Sequence, residues 1–391
     1  MLKISGIWLG AVGVLGLALA APSEGWAKDQ VRLAYIGPLT GPLSSVGIGA
    51  RNSIELAVRQ RNADPDATYE YVLEAFDDEC KADVGLRVAT RAAADDGIVV
   101  GFPHYCSAVA IGAVGTYNRF ELPVVLWGAV LPDITYGNDY KEIHRVNGTM
   151  INQNEHAANF VVDQGYQTWA IIHDTTDYGR AHNEYFSRFL TEAGGEIVGT
   201  FGVTADQQDF SSELAQIASL RPDVLYFGGQ AQLGVRIRAQ MERLGVTAQF
   251  QGTSGILSDA YLEGLPPALS EGTLAFLEGA PVDQLPGGAA FVAAYQEAGF
   301  GEPFEAYGPF AYSAASLAID LIEEVGPDRI ALRDALNGVS GYDSAIGEIT
   351  FDESGQNTVA VISTYVVQDG QWTVWEDSDY ASGLRSLRQP N

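Results

Sequence analysis

From residue 31 onward, the chain alternates between short runs rich in β-branched residues and longer amphipathic stretches. The runs fall into two series of similar length, at 31–37, 70–76, 97–102 and 122–128, and then at 142–148, 168–174, 196–203, 223–229 and 248–253. This alternation is typical of βαβ units, which build parallel sheets with helices on both faces. The sequence therefore predicts an α/β fold with two doubly wound, Rossmann-like lobes.

The last third of the chain has too few strands for a third lobe. Its predicted strands lie at 272–279, 345–351, 359–367 and 371–376, and the last two form a hairpin around Asp369 and Gly370. We expect the chain to return to lobe 1 near residue 276 and to lobe 2 near residue 350, so that three crossings form a hinge. The expected divisions are 28–146 with 276–349 for lobe 1, 147–275 with 350–378 for lobe 2, and a C-terminal tail at 379–391.

The first 27 residues have the pattern of a secretory signal peptide. Lys3 precedes an apolar run at 7–21, and small residues continue to Ala27. A membrane anchor is the alternative, but this 15-residue run is shorter than the roughly 20 residues that span a bilayer. No cysteine lies near the junction to carry a lipid. We expect cleavage near Ala27 and a mature protein that is free in the periplasm.

Acidic residues dominate the charged composition, with 50 Asp and Glu against 22 Lys and Arg and a formal net charge of −28. A surface of this sign repels phosphate backbones and anionic lipids, so nucleic acid is excluded as a partner. Solubility alone explains the charge. The net charge does not restrict the charge of the ligand, because a binding pocket can carry the opposite charge.

The chain has two cysteines, Cys80 and Cys106. Because an exported chain meets an oxidising compartment, we expect a disulfide that stabilises the fold by about 3–4 kcal/mol. The alternative is a reactive thiol or a metal site that includes His104. Two cysteines and one histidine fall short of the usual four metal ligands.

Signatures of catalysis and of cofactor binding are weak. GIGARN at 47–52 lacks the third glycine of a dinucleotide loop, and QGTSGI at 251–256 is not a G-x-S-x-G elbow. The five histidines have no metal-ligand spacing. The acidic run at 77–79 is explained more simply as a solvated strand end than as a calcium site. We therefore predict no enzymatic activity, no metal and no cofactor.

Ligands of open α/β sheets bind beyond the carboxyl ends of the strands, where helix N-termini present free N–H groups to anions. Ser107 opens a predicted helix at such a position, so it is a candidate for holding a carboxylate. A plain N-cap is the alternative. Trp127 ends a strand, Tyr178 follows one and Tyr307 begins a helix. Each of these rings could line a ligand, and burial in the core is the alternative.

Six short motifs lie along the chain: IGPLTGP at 36–42, DDEC at 77–80, PHYCSA at 103–108, HDTTDYG at 173–179, DFS at 209–211 and DVLYFGG at 223–229. Together they resemble the branched-chain amino-acid-binding family of periplasmic proteins. The resemblance covers nearly all of residues 30–376, and the cysteine pair stands where that family has a disulfide. It implies a type I periplasmic-binding fold with three hinge strands. It also implies the permease and ATPase subunits of an ABC importer as partners.

The resemblance also implies binding residues at matching positions. Ser107 matches a serine that holds the ligand carboxylate, and Gly128 matches a backbone carbonyl contact. Tyr178 matches an aromatic residue on the second lobe, and Tyr307 matches an aromatic side wall. Tyr105, inside the PHYCSA motif, is a further candidate for contact with the ligand.

Other positions depart from the pattern of that family. Val130 stands where the amino-acid binders have a threonine, Ser254 where they have the glutamate that pairs with an ammonium group, and Gln230 where they have an aromatic residue. An ammonium group buried without an acid would be an unpaired charge at a cost of several kcal/mol. We therefore expect a small carboxylate or amide ligand without an amino group. An amino acid bound by the same mechanism is the alternative.

These motifs favour a binding subunit over an exported hydrolase, because no catalytic triad or metal motif occurs. A ligand sensor built on the same fold is the other alternative. We expect a monomer that delivers a small molecule to permease subunits in the inner membrane.

Overall fold

The computed structural model describes residues 28–358 and 361–390, so the predicted signal peptide at 1–27 lies outside the described residues. In these two ranges no helix has the length and apolar character needed to cross a bilayer.

Strands and helices alternate along most of the described chain. The strands are β1 (Gln30–Gly37), β2 (Glu70–Asp77), β3 (Ile98–Pro103), β4 (Val124–Leu126), β5 (Ile143–Arg145), β6 (Thr168–Asp174), β7 (Glu196–Val203), β8 (Val224–Gly228), β9 (Gln249–Gly252), β10 (Leu274–Leu277), β11 (Tyr342–Ser344), β12 (Gly347–Ile349), β13 (Ser363–Gln368) and β14 (Gln371–Val374). The α-helices are α1 (Ser44–Ala63), α2 (Ala82–Ala93), α3 (Ser107–Arg119), α4 (Asp133–Tyr136), α5 (Met150–Asp163), α6 (Asp177–Glu192), α7 (Ser211–Leu220), α8 (Ala231–Arg243), α9 (Asp259–Glu263), α10 (Pro267–Ser270), α11 (Gly288–Glu297), α12 (Gly308–Val325) and α13 (Arg329–Asn337). Short 3₁₀ turns cover Ser254–Ile256 and Trp375–Asp377.

Lobe 1 is built on a parallel five-stranded sheet in the order β2-β1-β3-β4-β5. All six residues of β3 are buried, as expected for a central strand with helices on both faces. Helix α1 packs against α12, and α2 packs against α3. The run at 142–148, which opens the second series in the sequence, supplies β5 to this sheet.

Lobe 2 is built on a seven-stranded sheet in the order β14-β13-β10-β9-β8-β6-β7. Strands β7, β6, β8, β9 and β10 are parallel, and β13 runs antiparallel to β10. The predicted hairpin is confirmed, because β13 pairs with β14 around Asp369 and Gly370. Both turn residues have positive φ, 52° and 75°, which is the geometry of a tight hairpin turn. The predicted α/β fold with two lobes is thus confirmed.

The chain passes three times between the lobes. The first passage follows β5. The second follows Leu277, because β10 lies wholly in the sheet of lobe 2. The expected return to lobe 1 near residue 276 lies one residue before the end of that strand. The third passage follows the pairing of Gln356 with Arg145, so the segment at 350–357 stays beside lobe 1 instead of beginning lobe 2.

The buried guanidinium of Arg145 joins two of these passages to the loop after β4. It donates to Gln356 Oε1 at 2.6 Å, and to the carbonyl oxygens of Ala129 and Leu131 at 3.1 and 2.7 Å. Burial lowers the pKa of Arg145 to about 10, which leaves the group charged at neutral pH. Arg145 therefore holds the loop at 128–131 against the first and third passages between the lobes.

The predicted disulfide is confirmed, since Cys80 and Cys106 are bonded with their Cα atoms 5.6 Å apart. The bond ties the segment after β2 to the residue that precedes α3. His104 lies next to it and is fully buried, with Nδ1 2.9 Å from Asp78 Oδ2 and Nε2 2.7 Å from the hydroxyl of Tyr117. Because both ring nitrogens are occupied, His104 serves the local structure, not a metal site with the cysteines.

Candidate functional site

Ser107 is the first residue of α3, and Cys106 is the N-cap. The plain N-cap interpretation of Ser107 is therefore wrong. Its side chain is 1% exposed, and within the described residues its Oγ has no hydrogen-bond partner. Buried hydroxyl groups are normally paired. Since the N-terminus of a 13-residue helix favours negative charge, this donor stands in a position suited to an anion.

Tyr105, two residues before the start of α3, packs against other aromatic rings of lobe 1. The ring of Tyr105 stacks on that of Trp127 with centroids 6.1 Å apart, and it meets the edge of Tyr307 at 5.7 Å. Trp127 has no exposed surface, and its Nε1 donates to the carbonyl of Phe102 at 3.2 Å. Trp127 thus supports Tyr105 from behind, in agreement with the core alternative. The packed rings of Tyr105 and Tyr307 are called the aromatic wall below.

Lobe 2 contributes Tyr178, in the first turn of α6. Its hydroxyl lies 2.8 Å from Thr253 Oγ1 and accepts a hydrogen bond from the N–H of Gly255 at 3.0 Å. A side chain at position 255 would place its Cβ 2.8 Å from that hydroxyl and 2.6 Å from the carbonyl of Gly229, so the close approach requires glycine. These contacts fix the 3₁₀ turn that begins at Ser254.

The lobes touch at the N-terminus of α8. Gln230 is the N-cap residue of this helix, and its Oε1 accepts a hydrogen bond of 3.2 Å from the hydroxyl of Tyr105. This contact joins a residue of lobe 1 to a residue of lobe 2. The two lobes are therefore in direct contact at this point.

The loop after β4 packs against the aromatic wall. Gly128 packs against Tyr105, since a Cβ there would lie 3.2 Å from Cδ2 of that ring. Val130 is buried, and its carbonyl accepts from the N–H of Met150 at 3.0 Å, which links the loop to the start of α5. The structure therefore joins Tyr105 and Gly128 of lobe 1 to Gln230 of lobe 2. The contact of Val130 is with the start of α5 instead.

Glu278 is a residue of this cleft that the sequence reasoning missed. It follows the last residue of β10 and is 1% exposed. One carboxylate oxygen accepts from the hydroxyl of Tyr307 at 3.0 Å, and the other accepts from Ser254 Oγ at 3.5 Å. Burial raises the pKa of Glu278 to about 7. The signal in the sequence was an acid placed directly after a buried apolar run, at the end of a strand where ligands bind.

Glu278 alters the argument about the ligand. The expectation of a ligand without an amino group rested on the absence of an acid at position 254. The carboxyl group of Glu278 contacts the side chain at that position, so the cleft does contain a buried acid. The cleft thus contains a buried acid beside position 254, although the residue at that position is a serine.

A profile of the periplasmic binding protein family matches residues 30–371. The chain belongs to this family. The leucine-specific-binding protein of Salmonella typhimurium is 28% identical over 346 residues, which cover 88% of this chain and 92% of that protein. The leucine-, isoleucine-, valine-, threonine- and alanine-binding protein of Pseudomonas aeruginosa is 28% identical over 353 residues, which cover 88% and 91%. The predicted resemblance to branched-chain amino-acid-binding proteins is thus confirmed.

Solved structures of periplasmic binding proteins share the fold. A leucine-binding protein from Thermotoga maritima superposes with a TM-score of 0.81 at 22% identity, over 92% of this chain and 99% of that one. A solute-binding protein of an ABC transporter from R. palustris, in complex with benzoate, gives a TM-score of 0.79 at 17% identity, over 92% and 97%. The predicted type I fold is confirmed. At these identities the likeness concerns the fold alone.

Proposed function

We propose that this family member is the solute-binding subunit of an ABC importer and that it captures a small carboxylate between its lobes. The observation that carries the proposal is the buried Oγ of Ser107 at the N-terminus of α3, which has no hydrogen-bond partner among the residues that the structure describes. A ligand carboxylate would accept a hydrogen bond from this hydroxyl and lie in the favourable field of the helix. An amide ligand would present its carbonyl oxygen in the same way.

The solutes of related proteins support a carboxylate. Relatives are described as binding leucine and other amino acids, and one structural neighbour holds benzoate. A carboxylate is the group that these solutes share. Ser107 and the start of α3 are the features of this chain suited to it.

The mechanism follows from contacts with both lobes. A carboxylate held at Ser107 touches lobe 1, while Tyr178 and Ser254 approach from lobe 2. A ligand that binds both walls stabilises the closed form relative to the open form, and the hinge allows the exchange. We further propose that the protein acts as a periplasmic monomer without catalytic activity and presents the closed form to the permease subunits.

The test is calorimetric titration of amino acids, 2-oxo acids, benzoates and amides into wild type and into Ser107→Ala. We expect Ser107→Ala to weaken the best carboxylate about tenfold, because a hydrogen bond to a charged group contributes about 1.5 kcal/mol. Ser313→Ala is the matched control, since Ser313 Oγ is also buried and without a partner in the described part of the chain but lies within α12. An equal loss in both variants, or a panel without any bound carboxylate or amide, would overturn the proposal.

A further inference from the structure

A second cavity lies between the lobes, and none of the cleft residues described above lines it. Lobe 1 contributes residues of the segment at 303–309, and lobe 2 contributes the segment at 257–259 together with Tyr365 and Trp372. The volume is about 260 Å³. Small-molecule sites begin at about 300 Å³, so this cavity suits only a small ligand. We call it the side pocket.

Glu305 is the buried acid of the side pocket. It is 9% exposed, and its Oε1 accepts a hydrogen bond of 2.5 Å from Ser45 Oγ. Burial raises the pKa of Glu305, and the negative charges of Asp259 and Glu263 raise it further. These two acids belong to α9 in lobe 2, whereas Glu305 belongs to lobe 1. Like charges therefore meet where the lobes close, and a cation between them would relieve the repulsion.

Ser258 gives an independent indication that the side pocket takes a ligand. It is 7% exposed, and in the described part of the chain its Oγ has no hydrogen-bond partner. Although Ser258 is the N-cap residue of α9, its side chain makes no capping bond. Its carbonyl accepts a hydrogen bond of 3.3 Å from Trp372 Nε1, which fixes the backbone beside the pocket. Since buried hydroxyl groups are normally paired, this Oγ is suited to a polar group on a bound molecule.

Aromatic rings complete the side pocket. Phe304, Tyr365 and Trp372 line it. The ring of Phe304 meets Phe291 edge to face at 5.2 Å, and that of Trp372 packs against Tyr261 at 5.7 Å, so both rings are supported from behind. The faces of aromatic rings attract cations, and their apolar surface accommodates a short carbon chain. The rings therefore favour an organic cation over a bare calcium ion, which takes six or more oxygen ligands.

We propose that the side pocket binds a small organic amine, whose ammonium group pairs with Glu305 and donates to Ser258 Oγ while its carbon chain lies against Trp372. Because opposite lobes supply the walls, the complete pocket exists only when the lobes are together. The amine therefore favours closure. By linkage, it raises the affinity of the cleft for a solute by the same factor by which the solute raises the affinity for the amine. This coupling rests on the proposed function, whereas the pocket itself does not.

The probe is 1,4-diaminobutane, titrated by calorimetry into the protein without solute, with 1,4-butanediol as the uncharged counterpart. We expect the diamine to bind and the diol not to bind. The affinity for the diamine falls about tenfold in Glu305→Gln, which loses a hydrogen bond between charged groups, and about threefold in Ser258→Ala. Glu142→Gln is the control, since Glu142 is also a buried glutamate but lies beside Arg333, away from the pocket. This variant binds the diamine like wild type.

Repeating the titration with a saturating carboxylate measures the coupling, and we expect the diamine to bind about fivefold more tightly. An unchanged affinity would overturn the coupling. The site itself is overturned if the diol or calcium ion binds as tightly as the diamine, or if Glu305→Gln and Ser258→Ala both bind the diamine like wild type. It is also overturned if Glu278→Gln weakens the diamine and Glu305→Gln does not, because the diamine would then occupy the cleft. A panel in which no carboxylate binds would overturn the proposed function alone.

Discussion

The burial of Glu278 has a consequence for the stability of the unliganded protein. The pKa of Glu278 is raised from 4.5 to about 7, so the folded state holds a proton that the unfolded chain releases between these pH values. The penalty for ionisation is absent below pH 4.5, grows as the pH rises, and is complete above pH 7. Each pKa unit corresponds to about 1.4 kcal/mol, which gives a penalty of about 3 kcal/mol.

Glu278→Gln should therefore stabilise the unliganded protein at pH 8 by up to about 3 kcal/mol, and by little at pH 4.5. Denaturant unfolding at both pH values measures the difference. Burial also lowers the pKa of His144 and His182, but these histidines occur in both proteins and cancel in the comparison. A stabilisation that does not depend on pH would contradict a buried, titrating acid.

Ser107 and Glu278 illustrate what the sequence reveals about single residues. Ser107 follows a recognisable motif and opens a helix, so its position could be predicted. Glu278 is an acid at the end of an apolar run, and this pattern equally describes a solvated strand end. Its burial depends on Tyr307 and Ser254, which lie 29 and 24 residues away in the chain. Only the packed lobes bring the three side chains together.

At the scale of elements, the start of α3 is held by covalent and polar contacts with the segment after β2. The disulfide joins Cys80 to Cys106, and the Asp78 carboxylate bonds both His104 and the N–H of Cys80. Replacing both cysteines by serine should lower the free energy of unfolding by about 3.5 kcal/mol, because the bond closes a loop with a sequence separation of 26 residues. Urea denaturation measures this loss.

The same substitution should also weaken ligand binding, since Ser107 adjoins one of the cysteines. His104 and Asp78 remain to position the segment, so we expect a reduction in affinity and not its loss. Binding measured well below the urea midpoint separates the two effects. Unchanged affinity would mean that the polar contacts alone hold α3 in place.

Most elements could be predicted because each depends on local pattern. The alternation of β-branched runs and amphipathic stretches located the strands of both sheets, and the Asp369–Gly370 turn located the hairpin. The passages between lobes were harder to locate. The position of β10 in the sheet depends on pairing with β9 on one side and with β13 on the other. Strand β13 begins 86 residues after Leu277, the last residue of β10. No local pattern in the sequence indicates this pairing.

At the scale of the whole molecule, closure rests on contacts between the lobes as well as on the ligand. The hydrogen bond from Tyr105 to Gln230 connects lobe 1 to lobe 2 without any ligand atom. It therefore favours the closed form even in the empty protein. A ligand has to supply only the remaining difference in free energy between the open and closed forms.

This contact can be isolated by a double-mutant cycle with Tyr105→Phe and Gln230→Leu. If the two side chains act together at closure, each single variant should weaken binding about fivefold, and the double variant should be little weaker than either. The loss should appear as faster ligand dissociation, because the contact forms after the lobes meet. Small-angle scattering should show a larger radius of gyration for the unliganded variants than for wild type, with all proteins contracting to the same value when saturated. Additive losses in the double variant would mean that the two residues act separately. A radius of gyration that does not change when ligand is added would mean that the lobes do not move together around the solute.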